Sequence, residues 1–258
     1  MKKITLSDKQ HLDEAVSVYK KARSRVALTG AGISVESGID DFRSPGGLWS
    51  KYSPDEYATL TVFKRNPEKA WKLYRALGKS IIGKKPNQAH RILAKLEQKG
   101  LLQGVVTQNV DNLHQDGGSG LVLEIHGDHK HLQCLGCGDL TTFSPELLEQ
   151  QIVPHCNYCD NALKPNVVLF EEDVRHMEEI YSLLHKCDVL LVIGTSARVY
   201  PAAALPEQVK AAGGYIFEFN LDETVLTRKG SMQGPGSDYF FHGSASAMLR
   251  IFADMLGV

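Results

Sequence analysis

The sequence predicts an α/β fold, a mainly parallel sheet covered by helices on both faces, and three features lead there. Short apolar runs rich in β-branched residues recur at Arg25 to Thr29, Gly104 to Thr107, Val189 to Ile193 and Tyr215 to Asn220, separated by segments with apolar residues at helical spacing. Such alternation builds parallel strands joined by crossover helices. Polar or glycine-bearing loops follow the strands, at Gly30 to Ser34, Gln108 to Asp111, Gly194 to Ser196 and Asn220. In a doubly wound sheet those ends share the edge where ligands bind. Two Cys-x-x-Cys pairs then interrupt the pattern and point to a metal-binding insertion.

Taken in order, Ser7 and Asp8 can cap a helix running to about residue 23, with Leu12, Ala15, Val16, Tyr19 and Ala22 on one face. It leads into the strand 25–29, and the glycines follow at once. Gly30 and Gly32 have no Cβ, so the chain can turn sharply and approach a pyrophosphate, with amides of a helix N-terminus as donors. The run departs from G-x-G-x-x-G, because Val35 holds the third glycine's place and the next glycine is Gly38. On glycines alone a plain strand-turn-helix is an equal reading. Residues 45–85 change character: Pro54, Tyr57 and Phe63 fall in loops or short helices, and Trp71, Leu73, Tyr74 and Leu77 lie on a more regular helix whose stripe reads as core packing. Asn87 caps a helix to about residue 98, stopped by Gly100, and the strand 104–107 follows. Residues 121–125 form a short strand ending at His126-Gly127. Beyond the cysteines come the apolar run 167–170, a helix over 172–186, the strand 189–193, a helix near 201–212, the strands 215–220 and 239–241, and a closing helix over 244–256.

A chain of 258 residues, 43% hydrophobic and 23% charged, has the composition of a soluble enzyme, as one large domain with an insertion or two unequal ones. Its net charge of -1 gives no general electrostatic reason to bind nucleic acid or an acidic membrane. The first residues lack the apolar core of a signal peptide and no run reaches membrane-spanning length, so a cytoplasmic protein is expected. In that reducing setting Cys134, Cys137, Cys156 and Cys159, with 18 residues between the pairs, favour tetrahedral zinc over disulfides. Four sulfur ligands leave no open position for water, so the metal would be structural; free thiols or a redox pair are the alternatives. His155 could replace a ligand, but a solvated loop histidine is the favoured reading.

Gln108, Asn109 and Asp111 follow a buried strand on a loop that would face the glycine turn, a placement that often carries chemistry. His126 ends another strand and could serve as a general base near neutral pH, although a histidine at a strand end is more often structural.

These motifs occur together and in order: G-A-G-I-S-V-E-S-G-I-D-D-F-R from Gly30, G-G-L-W from Gly46, T-Q-N-V-D-N-L-H from Thr107, His126-Gly127, the four cysteines, K-P-N-V-V-L-F from Lys164, G-T-S at Gly194, V-Y-P-A-A at Val199 and Phe219-Asn220. In that order the chain resembles the sirtuins, NAD-dependent protein lysine deacylases, over almost its whole length. The resemblance implies a Rossmann-like domain of residues 1–44, 86–127 and 166–258. A smaller domain would comprise a helical module, 45–85, and a zinc module, 128–165, with NAD and an acylated protein lysine in an extended peptide meeting between the two domains. It also implies that Ala31, Gly32, Asp41, Phe42, Arg43, Gln108, Asn109, Asp111, Gly194, Ser196, Asn220 and Ala245 bind NAD, that His126 and Asn109 are catalytic, and that Val168, Phe170, Val199 and Tyr200 contact the peptide. In the family's mechanism the acyl oxygen attacks the ribose as nicotinamide leaves, His126 would take a ribose hydroxyl proton, and water completes acyl transfer to ADP-ribose. A monomer is the favoured state. A nicotinamide-dependent dehydrogenase and a non-catalytic zinc-ribbon interaction protein are the competing readings.

Three departures bear on specificity. Asp40 stands where the family usually has proline. Leu77 occupies the place of an arginine in the desuccinylating branch, so acetyl or longer neutral acyl groups are expected over succinyl. Glu171 replaces a glycine. Either its backbone is ordinary and the side chain sits in solvent, or it lies along the peptide clamp and favours basic flanks, in which case Glu171→Gly is expected to improve peptide affinity.

Overall fold

The computed structural model describes residues 1–41, 46–232 and 236–258. Its main sheet has seven strands, all parallel: β1 (Lys2–Ile4), β2 (Arg25–Thr29), β3 (Gly104–Thr107), β4 (Val122–Glu124), and, later in the chain, Val189–Ile193, Tyr215–Asn220 and Tyr239–His242. A three-stranded antiparallel sheet lies between these in sequence, formed by β5 (Gly127–Cys134), β6 (Leu140–Thr142) and β7 (Leu163–Val167). The last three strands of the main sheet are therefore β8, β9 and β10. Its order, β1-β10-β9-β8-β2-β3-β4, reverses direction between β2 and β8. That reversal is the switch point where the loops after neighbouring strands part and leave a crevice.

The helices are α1 (Lys9–Lys21), α2 (Leu48–Lys51), α3 (Pro54–Tyr57), α4 (Leu60–Arg65), α5 (Pro67–Ile81), α6 (Gln88–Gln98), α7 (Leu113–Asp116), α8 (Met177–Leu184), α9 (Leu205–Ala211), α10 (Val225–Ser231) and α11 (Ala245–Leu256). Local chemistry explains their ends. Asp8 accepts from the His11 amide at 3.1 Å and starts α1. Asn87 accepts from Ala89 and donates to the Ile33 carbonyl at 2.7 Å, tying the start of α6 to the turn after β2.

Among the described residues, three apolar cores result. One sheet face packs on α1, α6 and α11, where Phe219 stacks on Phe241 with ring centroids 4.1 Å apart and Phe252 meets Tyr19 edge-on at 4.9 Å. Each such buried ring contributes about 1.5–3 kcal/mol of transfer free energy. The opposite face packs on α8 and α9. The third core joins α4 and α5 to the antiparallel sheet, with Trp71 wholly buried and its Nε1 donating to the Leu163 carbonyl at 2.8 Å.

Several expected elements differ. No α-helix follows β2; residues Ala31–Ser37 form a 3-10 helix closed by Gly38 in the left-handed region, at φ 77°. The apolar run 167–170 is not itself a strand, since β7 ends at Val167, and the helix expected over 172–186 shortens to α8.

Candidate active site

A cavity of about 940 Å³ opens at the switch point and runs to the third core. Gly30 and Gly32 line it, and their want of a Cβ has a reason the sequence alone does not supply. A Cβ on Gly30 would lie 2.8 Å from that of Thr195, and one on Gly32 would lie 2.7 Å from the Cα of Gly194. The loops after β2 and β8 therefore touch backbone to backbone, locked by Gly32 N–H donating to the Gly194 carbonyl at 2.8 Å.

The loop after β3 faces them across the crevice. Gln108 Nε2 donates to Thr195 Oγ1 at 2.9 Å. Asn109, buried, donates through Nδ2 to the Gly30 carbonyl at 3.2 Å and to Ser34 Oγ at 3.1 Å. Ser34 Oγ in turn donates to Asp111 at 2.6 Å. Burial pushes the Asp111 carboxyl up, opposed in part by the Ser34 hydroxyl and the Leu113 amide. Asp111 is not among the residues lining the cavity; it stands behind Ser34 and holds it.

His126 lies in the turn between β4 and β5 and lines the same cavity. Its Nδ1 is 3.0 Å from the carbonyl of Gln108, which can only accept, so Nδ1 carries the proton and Nε2 keeps its lone pair. Burial holds the imidazolium pKa below its ordinary value, with the Gln108 carbonyl opposing part of the shift. Ala31, Asp41, Gly194, Ser196, Asn220 and Ala245 share the cavity wall, as do Val168, Phe170, Val199 and Tyr200 toward its mouth. Phe42 and Arg43 lie outside the described residues. The far end is apolar, formed by Leu48, Ala58, Leu73, Tyr74, Leu77 and Val110. Leu73, Tyr74 and Leu77 thus pack in the core, as the stripe predicted, and also wall the cavity.

Sequence reasoning passed over several residues that hold this arrangement. Asn220 is fixed through Nδ2 by the Thr195 carbonyl at 3.1 Å and by Glu218, a wholly buried carboxylate that also accepts from Thr224, Thr227 and Ser237. Lys164 is also wholly buried: its Nζ donates to the Val167 carbonyl at 2.6 Å and pairs with Glu172 at 3.0 Å. Glu172 accepts from the Leu169 amide at 2.8 Å, and Val168 N–H donates to the His126 carbonyl at 2.8 Å. The polar run Lys164-Pro165-Asn166 just before an apolar one was the available signal. Glu171 has φ 76°, a conformation costing a residue with a side chain about 1–2 kcal/mol. Its carboxylate is solvent-exposed but held by partners. It accepts from the Thr61 amide at 2.9 Å and the Thr61 hydroxyl at 2.7 Å, which hold its pKa below the usual range with help from Arg65 and Lys64.

Away from the cavity, the four cysteine sulfurs lie within 4.8 Å of one another, with Cys134 to Cys159 at 3.4 Å and Cys137 to Cys156 at 3.6 Å. Tetrahedral zinc with bonds of about 2.3 Å spaces its sulfurs by roughly 3.8 Å, so the cluster fits that ion. Gly136 and Tyr158 aim main-chain N–H groups at Cys134 and Cys156, which favours thiolates. His155 stands outside the set, its Nδ1 2.7 Å from the Asp160 carbonyl.

A doubly wound parallel sheet with a cavity at its switch point, together with a four-cysteine cluster placed to hold a structural ion, defines a dinucleotide-type α/β protein. Comparison with known proteins narrows this. A model of the Sir2 family matches residues 30–201. The chain is 40% identical over 245 residues to the NAD-dependent protein deacylase of Pyrococcus furiosus, covering 92% of this chain and 95% of that protein. A solved Sir2 homologue–NAD complex superposes with a TM-score of 0.86 at 37% identity, covering 95% of this chain and 93% of that one. A Sir2–p53 peptide–NAD+ complex gives a TM-score of 0.83 at 32% identity, covering 95% and 98%. The chain belongs to the Sir2 family, the sirtuins. Among the described residues no helix is long and apolar enough to cross a membrane.

Proposed function

We propose that the protein is an NAD-dependent protein lysine deacylase that prefers neutral acyl groups. The observation that carries the reading is His126: its protonated Nδ1 is held by the Gln108 carbonyl, and the ring lines a cavity joining the switch point to an apolar end. In this reading Gly32, Gln108, Asn109, Ser196 and Asn220 hold NAD together with Ala31, Asp41, Gly194 and Ala245 on the same wall, while Asp111 acts from behind through Ser34. When bound, NAD supplies the ADP-ribose that accepts the acyl group, with nicotinamide leaving. His126 Nε2 accepts a ribose hydroxyl proton, its Nδ1–H staying on the Gln108 carbonyl while the ring is charged. Asn109, anchored to Gly30 and Ser34, orients the reacting groups at the cavity floor. Cys134, Cys137, Cys156 and Cys159 would hold zinc, which braces the fold and takes no part in the chemistry.

Residues 1–44, 86–127 and 166–258 are read as the NAD-binding domain, and 45–85 with 128–165 as the smaller one; the third core, which unites α4 and α5 with the antiparallel sheet, supports that division. An extended peptide would lie between Val168 and Phe170 on one side and Val199 and Tyr200 on the other. A monomeric, cytoplasmic enzyme completes the reading, the clustered reduced cysteines suiting a reducing compartment. Incubating the protein with NAD and lysine-acylated peptides, read by mass spectrometry, tests it. Deacylated peptide with free nicotinamide is expected, and acetyl or longer aliphatic chains should outpace succinyl, because Leu77 gives a buried carboxylate no partner. Reduced cofactor, or no turnover of any acyl peptide, would overturn the reading; equal efficiency on succinyl would overturn the preference.

A further inference from the structure

We infer that Glu171 is a positioning residue for the peptide substrate, its carboxylate latching the segment 167–171 to Thr61 of α4 and so fixing one wall of the peptide channel. The inference rests on the deacylase reading, and it replaces the expectation that Glu171→Gly improves peptide affinity. Two observations favour a latch over an incidental surface contact. The first is conformational. A side chain at φ 76° persists where its surroundings over-determine it, and here the flanking backbone does so. Phe170 N–H donates to the Ala58 carbonyl and Leu60 N–H to the Phe170 carbonyl, each at 3.0 Å, so the chain is already stitched to the loop before α4 when Glu171 reaches Thr61.

The second is what lies on the other side. The same segment is tied to His126 through the Val168 amide, and to the buried Lys164–Glu172 pair through the Val167 carbonyl and the Leu169 amide. It therefore spans from the proposed base to α4, anchored at both ends, and Phe170 and Glu171 both line the cavity. Removing the Glu171 carboxylate leaves the inner anchors intact and the mouth held only by the two backbone bonds of Phe170. The wall would then fray from the mouth inward, which weakens peptide binding while sparing NAD and the chemistry.

Steady-state kinetics on one acetylated peptide tests this with Glu171→Ala, Glu171→Gln, Thr61→Ala and Thr61→Ser. Losing both charge-assisted hydrogen bonds should raise the peptide KM by about fivefold to tenfold in Glu171→Ala, and Thr61→Ala, which loses the hydroxyl but keeps the Thr61 amide bond, should raise it by about twofold to threefold. Both kcat and the KM for NAD should stay within about twofold. The double variant should be no worse than Glu171→Ala alone, since both changes break one contact. Glu171→Gln and Thr61→Ser, which keep an acceptor and a hydroxyl, should stay near wild type. Peptide KM unchanged in both alanine variants, or NAD KM rising as much as peptide KM, would overturn the latch. Hydrogen exchange reads it without turnover: the Thr61 and Phe170 amides should exchange about tenfold faster in Glu171→Ala, and equal exchange would also overturn it. Absence of deacylation in the wild type would instead count against the deacylase reading, leaving the exchange result to decide on the latch.

Discussion

Gln108 works through two different atoms. Its side-chain amide binds Thr195, joining the loops after β3 and β8, while its backbone carbonyl sets the tautomer of His126. The glutamine side chain was legible in the sequence as a polar group after a strand; the carbonyl was not, because it depends on a strand 18 residues later arriving beside it. The same limit hid the reason for Gly30 and Gly32, which the close approach of Gly194 and Thr195 requires whether or not a nucleotide is bound. For the proposed base, His126→Ala is expected to fold and bind NAD with deacylation slowed by about a hundred- to ten-thousand-fold. The sign of its pH dependence follows from burial. A base works when neutral, and a lowered pKa keeps His126 neutral to more acidic pH, so the acidic limb of kcat/KM should fall below about 6.5, the ordinary histidine value. A limb above that value, or near wild-type turnover in the folded variant, counts against the assignment.

Most strands and the long helices could be read from period and caps, because there local preference and tertiary packing agree. The misses occur where they part. β7, Leu-Lys-Pro-Asn-Val, has the composition of a loop, yet it lies at the edge of its sheet, where a proline costs no ladder bond, and its lysine is neutralised by Glu172. The turn after β2 tightens to a 3-10 helix because its second glycine is pinned to Gly194, so the helix N-terminus expected there is not α-helical. The cysteine spacing, by contrast, carries its geometry within itself: two tight Cys-x-x-Cys turns need only be brought together. Replacing Cys134 or Cys159 with alanine should release the metal and destabilise the antiparallel sheet, and activity should fall through β7, whose Val167 lines the cavity, although none of the four cysteines does. Metal analysis of the purified protein checks this. Wild type lacking zinc, or full activity after exhaustive chelation, would show the cluster to be dispensable.

Across the whole molecule, long-range pairing decides what sequence inspection could not. β1 pairs in parallel with β10, its partner more than two hundred residues away, and its Lys2 and Lys3 are exposed at the sheet margin, where they discourage further strand addition. The chain also buries histidines in separate parts of the structure. His90 and His114 meet between α6 and α7 with ring centroids 4.9 Å apart, and His129 packs on Phe143 in the third core. Among the described residues His90 Nε2, His114 Nδ1 and His129 Nε2 have no hydrogen-bond partner, so a charged ring, which needs an acceptor at both nitrogens, leaves one N–H unmet. Burial accordingly pushes His90 and His129 down to about 4 and His114 to about 3. In the unfolded chain each returns to about 6.5 and binds a proton that the folded state refuses. Stability is then fully present above about pH 6.5 and is lost as pH falls through the window down to the folded values. At pH 5 each ring costs about 2 kcal/mol, a large fraction of the roughly 5–15 kcal/mol of a typical domain when the three are taken together. Urea unfolding at pH 7, 6 and 5 should therefore show a steep decline, while histidine proton resonances of these rings stay unshifted in the native state down to about pH 5. Zinc release, followed in parallel with a metal-binding dye, separates loss of thiolate ligands from histidine protonation. Stability that stays flat to pH 5 with zinc retained, or native rings that titrate near 6.5, would mean that the interior admits the proton after all.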